Sequence, residues 1–140
     1  MTNSNQNELE GPPFSLNKYQ AAFLFKHGVI AIEAINHSES FQVAVEQIST
    51  KLEYRVFEDL TLNMKIFLTD GLKFGSLFLG YQGDPTIFHA KYLINVNNER
   101  GKMPVAELIV HERMANTNRK VLLIAYENDA NQVDYIEVTF

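Results

Sequence analysis

The chain has 140 residues and 46% hydrophobic content, enough to bury one core, which excludes global disorder. Lys and Arg number 12 against 17 Asp and Glu, and the net charge of −5 argues against indiscriminate nucleic-acid binding while leaving room for a local basic patch. The absence of cysteine excludes disulfides and thiolate metal sites.

Residues 1–13 are rich in Asn, Gln, Glu and Ser, close on Gly11-Pro12-Pro13, and read as a disordered tail without the apolar core of a signal peptide. No stretch has the roughly 18 consecutive apolar residues of a membrane span, so a soluble intracellular protein is expected. Ser15 suits a helix N-cap, Leu16, Tyr19, Ala22, Phe23 and Lys26 follow helical spacing, and Gly28 reads as the stop. Residues 29–35 form a β-like run, and Ser38 or Ser40 would cap a helix through Phe41, Val45 and Ile48. Residues 14–50 are thus expected to form a small N-terminal α/β domain.

Residues 51–140 are expected to form the second domain. A helix over 52–63 lines up Leu52, Val56, Leu60 and Asn63, with Tyr54 and Phe57 beside them. A strand over 65–68 precedes the turn Thr69-Asp70-Gly71. Strands follow over 76–81 and 90–96, the second introduced by Phe88-His89. A polar turn over 97–102 leads to Pro104, which suits the first turn of a helix running to about Ala115. Strands over 121–126 and 132–138 flank a hairpin loop. Helix, three strands, helix, two strands makes an α/β protein of the α+β type, a mixed sheet flanked by helices.

Three side chains suited to proton transfer and charge stabilisation fall at strand ends or turns: Tyr81, His89 and Lys120. Taken singly, each has a plainer reading: Tyr81 as an amphipathic rim residue, His89 as a surface histidine, Lys120 as a solvated strand-end charge. Gly83-Asp84-Pro85 is a turn signal, and Asp84 either caps that turn or accepts a bond from His89. His27 lies beside a helix end, His37 in a polar turn and His111 in the last helix. With His89 they show no metal-ligand spacing, so neither a metal nor another cofactor is expected. There is no phosphate-cradling Gly-rich loop and no G-x-S-x-G elbow.

The string KFGSLFLGYQGDPTIFHAKYLI, followed by RMANTNRKVLLIAYE, resembles the catalytic domain of tRNA-splicing endonucleases. The resemblance runs from about residue 15 to 140 and is strongest over 56–94 and 113–126. It implies a restriction-endonuclease-like fold and makes Tyr81, His89 eight residues later, and Lys120 the family's catalytic triad. Precursor tRNA would then be cut at its intron boundaries without metal, leaving 2′,3′-cyclic phosphate and 5′-hydroxyl ends. Whether Tyr81 or another group is the general base stays open, because a phenol of ordinary pKa about 10 is a poor base unless a cation lowers that value.

Family members usually carry more chain ahead of the first helix, and that leading part is expected to be missing here. The resemblance also matches Arg113, seven residues before Lys120, to an Arg that stacks on a flipped-out bulge base in archaeal members. Lys91, Arg119 and Lys73 are further candidates for contacts to RNA phosphates. A second stacking Arg has no counterpart in the last strand. Partners implied are this chain itself or other splicing endonuclease subunits. The final strand would pair across a dimer axis, and Glu127, Asn128 and Asp129 would dock into a basic cleft. The compartment would be the cytoplasm in an archaeon or the nucleus in a eukaryote. The alternatives are a non-catalytic architectural subunit of the same complex, or a metal-dependent nuclease, for which the clustered carboxylates are missing.

Overall fold

The computed structural model describes residues 17–28 and 38–139. The expected tail, the Ser15 cap position, the β-like run over 29–35 and Phe140 lie outside the described residues. Helix α1, Lys18–Lys26, starts at Asn17 and not at Ser15. The reason is a capping box: the Asn17 side chain accepts from the Gln20 amide at 2.8 Å, and the Gln20 side chain accepts from the Asn17 amide at 3.0 Å. Gly28, at φ +75°, turns the chain after α1 in the left-handed conformation glycine tolerates. Helix α2 spans Ser38–Ser49, so Ser38 and Ser40 lie inside the helix.

Helix α3, Leu52–Leu62, buries Tyr54, Val56, Phe57 and Leu60. Lys65, at φ 58°, then turns the chain, and β1 runs Phe67–Asp70, two residues later than the sequence pattern suggests. Thr69 and Asp70 therefore belong to the strand. The turn is made by Gly71 and a short 3-10 segment, Leu72–Phe74, which the Asp70 carboxylate caps by accepting from the Leu72 amide at 2.8 Å. Strand β2 spans Phe78–Tyr81, β3 Tyr92–Asn97, helix α4 Val105–Thr117, β4 Val121–Glu127 and β5 Val133–Val138.

The strands form one mixed sheet in the order β1-β2-β3-β4-β5. All neighbours are antiparallel except β3 and β4, which α4 joins as a crossover. Strand β4 is an interior strand, paired on both sides and buried on both faces, which explains its unbroken apolar run. On one face, Phe78 makes edge contacts with Tyr19 of α1 and Phe57 of α3, at centroid distances of 5.3 and 5.6 Å. Leu68, Ile94, Leu123 and Ala125 complete that core with α2 and α3. On the other face, Ala115 of α4 packs with Leu79, Leu93, Leu122 and Ile124. Among the described residues, no helix is long and apolar enough to cross a membrane.

Edge strand β5 is fastened to α3. The Tyr135 hydroxyl donates to the Asp59 carboxylate, and Arg55 donates to Glu127 at 2.7 Å and to the Asn131 carbonyl at 2.8 Å. Burial first, then the Asp59 bond and the charges of Asp59 and Asp134, push the Tyr135 phenol far above its ordinary value. The fold thus favours the neutral phenol, so this contribution is complete below the ordinary phenol pKa and fades as pH rises past it. Tyr135→Phe is expected to cost about 1 kcal/mol at neutral pH by urea denaturation, with the gap to wild type closing above about pH 10. A gap independent of pH would contradict this assignment.

Candidate active site

Tyr81 ends β2, and the sheet register decides what lies beside it. Gly80 pairs with Tyr92, and Tyr92 with Val121. One residue further, the Lys91 amide donates to the Gly80 carbonyl and the Val121 amide to the Lys91 carbonyl, both at 2.8 Å. Tyr81, Lys91 and Lys120 therefore occupy neighbouring positions across three strands. Two strand spacings separate the backbones of Tyr81 and Lys120, roughly 10 Å. Alternation along the strands puts Tyr81 with Leu79 and Lys120 with Leu122, on the α4 face. Tyr81, like Phe74 and Ala90, packs there against the buried core residues, and its hydroxyl accepts from Thr69 Oγ1 at 3.4 Å.

Lys120 is positioned by the end of α4. After the cap Asn118, Arg119 adopts φ 57°, its amide donates to Asn116, and the Lys120 amide donates to Ala115 at 2.8 Å. This is the Schellman arrangement, with Arg where glycine is usual. It turns the chain within two residues, so Lys120 leaves the helix and enters β4 immediately. Its ammonium donates to the Ala90 carbonyl at 3.0 Å and sits 5.5 Å from the centre of the Phe74 ring. An ammonium has three donors, so this bond leaves two for an anionic oxygen.

His89 precedes Ala90 in the loop between β2 and β3, is exposed, and has no hydrogen-bond partner among the described residues. The strand expected to open at Phe88-His89 starts only at Tyr92, because Asp84 winds the preceding residues into a turn. Its carbonyl accepts from the amides of Ile87 and Phe88 at 2.9 Å, and its carboxylate accepts from the Thr86 amide at 2.9 Å and hydroxyl at 2.7 Å. Those Thr86 bonds, the backbone one foremost, hold the Asp84 carboxyl below its usual range. Asp84 is thus a turn cap and not the partner of His89.

The structure joins Tyr81 and Lys120 through the shared β3 backbone and ties Lys120 to the residue after His89. The candidate RNA contacts are more dispersed. Arg113 is exposed on α4, about two turns before Lys120. Arg119 is exposed at the helix end, and the Lys91 ammonium rests 5.3 Å from the centre of the Tyr92 ring. Phe74, Thr69 and the Ala90 carbonyl also shape the site. Phe74 lies in the quoted KFG string, but nothing in the sequence pattern marks Thr69 or a backbone carbonyl as partners.

A mixed sheet with helices on both faces, carrying a phenol, an ammonium and a nearby imidazole at one end, defines the class to which the family comparison also leads. The chain belongs to the family described as tRNA intron endonuclease, catalytic C-terminal domain, whose profile matches residues 50–135. It is 34% identical over 89 residues to the probable tRNA-splicing endonuclease subunit sen34 of Schizosaccharomyces pombe, covering 56% of this chain and 31% of that protein. It is 33% identical over 85 residues to the human tRNA-splicing endonuclease subunit Sen34, covering 61% of this chain and 27% of that one. Identity to the tRNA-splicing endonuclease of Pyrococcus abyssi is 26% over 141 residues, covering 97% and 81%. The chain spans under a third of the yeast and human relatives and most of the archaeal one.

The left-handed Arg119 generates a test, since a side chain there costs roughly 1–2 kcal/mol that glycine avoids. Arg119→Gly is expected to raise the unfolding free energy by about 1 kcal/mol, seen as a higher urea midpoint with unchanged slope. A lower midpoint would show that the guanidinium contributes more to the fold than the strain removes.

Proposed function

We propose that this chain is a catalytic subunit of a tRNA-splicing endonuclease that cuts precursor tRNA at intron boundaries. The observation that carries the reading is Lys120: it lies across from Tyr81 on the same sheet face and bonds the carbonyl next to His89, within the family match. Tyr81, in its phenolate form, takes the proton from the 2′-hydroxyl, whose oxygen forms a bond to the adjacent phosphorus. Lys120 stabilises the charge gathering on the phosphorane oxygens. The bond from phosphorus to the 5′-oxygen breaks, and His89 gives that oxygen its proton. The products carry a 2′,3′-cyclic phosphate and a 5′-hydroxyl, and no metal enters the balance. Arg113, Arg119 and Lys91 supply positive charge to the RNA backbone, and Arg113 a stacking plane.

In this reading residues 51–140 are the catalytic domain and residues 14–50 an N-terminal α/β element. The enzyme works as an assembly of copies of this chain or of this chain with other subunits, in an archaeal cytoplasm or a eukaryotic nucleus. The β5 edge and the loop after β4 make the contacts. At the end of β4 and in that loop the charges are unequal. Glu127 is neutralised by Arg55, and Asn128 turns inward to accept from the amides of Ala130 and Gln132. Asp129 is fully exposed, with Arg100 only at 4.0 Å, and is the carboxylate available to a basic cleft.

Tyr81→Phe, His89→Ala and Lys120→Ala are each expected to slow single-turnover cutting by the assembled enzyme on the order of 10²–10⁴-fold, with substrate affinity little changed. Undiminished cutting by a complex carrying all three substitutions would leave the architectural role.

A further inference from the structure

Beside His89 stands a side chain that the reaction does not use. Phe88 is 55% exposed and its neighbour Ile87 75%, whereas the aromatic residues Tyr54, Phe57 and Phe78 are buried. An exposed phenylalanine on a mobile loop would be unremarkable. This one is held in place. Its amide donates to the Asp84 carbonyl, and the Thr86 bonds to the Asp84 carboxylate tighten the same turn. The ring rests on Gly83: a Cβ built there would come within 2.5 Å of Phe88 Cδ2 and 3.3 Å of Cζ, so a larger residue would push the ring from this seat. The turn thus spends a glycine and a capped aspartate on keeping an apolar ring in water, next to an exposed imidazole.

We infer that Phe88 is a stacking platform for the nucleobase on the 3′ side of the cut, an inference that rests on the proposed function. The side follows from the chemistry. His89 protonates the leaving 5′-oxygen, which belongs to the 3′ nucleotide, and Phe88 is its immediate neighbour in the chain. An aromatic face held in advance binds a splayed-out base without a cost of ordering the protein, and it accepts any base. It fixes the leaving nucleotide while the 2′-oxygen attacks in line. Phe88 is a positioning residue here, since it touches the substrate away from the reacting atoms.

The test uses the full chain in its assembled enzyme and a precursor tRNA with 2-aminopurine 3′ to the cut. A 2′-deoxy sugar on the 5′ side blocks the reaction during the binding measurement. Binding to wild type is expected to quench the fluorescence by stacking. Phe88→Ala and Phe88→Leu are expected to abolish the quench and to raise KM for unmodified precursor roughly five- to a hundredfold, with unchanged melting temperature. Phe88→Trp restores both, and Gly83→Ala, which displaces the ring, behaves like Phe88→Ala. Leucine fills the same seat without a π face, so a leucine variant that quenches and cuts as wild type does would overturn the platform. So would an unaltered quench in Phe88→Ala. A wild-type complex that cuts no precursor at all would instead overturn the function on which the inference rests.

Discussion

The parallel pairing of β3 with β4 is the constraint on which the rest depends. Parallel neighbours cannot be joined by a tight turn, so the chain must leave the sheet and return, and α4 makes that journey. The return point is set by the Schellman end of α4, which delivers Lys120 to the level of Lys91. Antiparallel pairing of β2 with β3 brings Tyr81 to that level from the other side. A phenol and an ammonium 39 positions apart in the sequence thereby face the same way at one end of the strands. Tyr81 packs against the buried residues of the α4-side core, and the Lys120 ammonium lies over the ring of Phe74, which packs against the same core.

The opposite side of the molecule has a different task. Helices α1, α2 and α3 cover the second sheet face, and the bonds of Asp59 and Arg55 hold the exposed edge strand and its hairpin in shape. Glu58 belongs to the same surface. Burial alone would raise its carboxyl, but bonds from His27, Lys26 and Tyr54 and the Lys26 charge bring it below the ordinary range. The hairpin is therefore held in one shape, with Asp129 as its most exposed carboxylate. The candidate site and this hairpin lie on separate parts of one sheet, joined through β4.

Much of this was legible in the residues. The apolar lines of α3, the unbroken run of β4 and the Pro104 start of α4 state their elements plainly, and the Tyr81, His89 and Lys120 contexts carry the family resemblance. The misses were local and had physical causes. Asn17-x-x-Gln20 outcompetes Ser15 as a cap because it satisfies two amides and not one. Lys65 in the left-handed region delays β1, and the Asp84 turn delays β3, since side-chain identity does not announce either backbone conformation. The Thr69 and Ala90 contacts depend on register, which no single segment contains.

The most direct measurement is mass-resolved analysis of RNA ends after the purified chain, alone and with its co-purifying partners, meets an intron-containing precursor tRNA in the presence of a chelator. The account predicts cuts at the intron boundaries with 2′,3′-cyclic phosphate on one side and 5′-hydroxyl on the other. Cutting that stops when metal is removed, or ends bearing a 5′-phosphate, would contradict it.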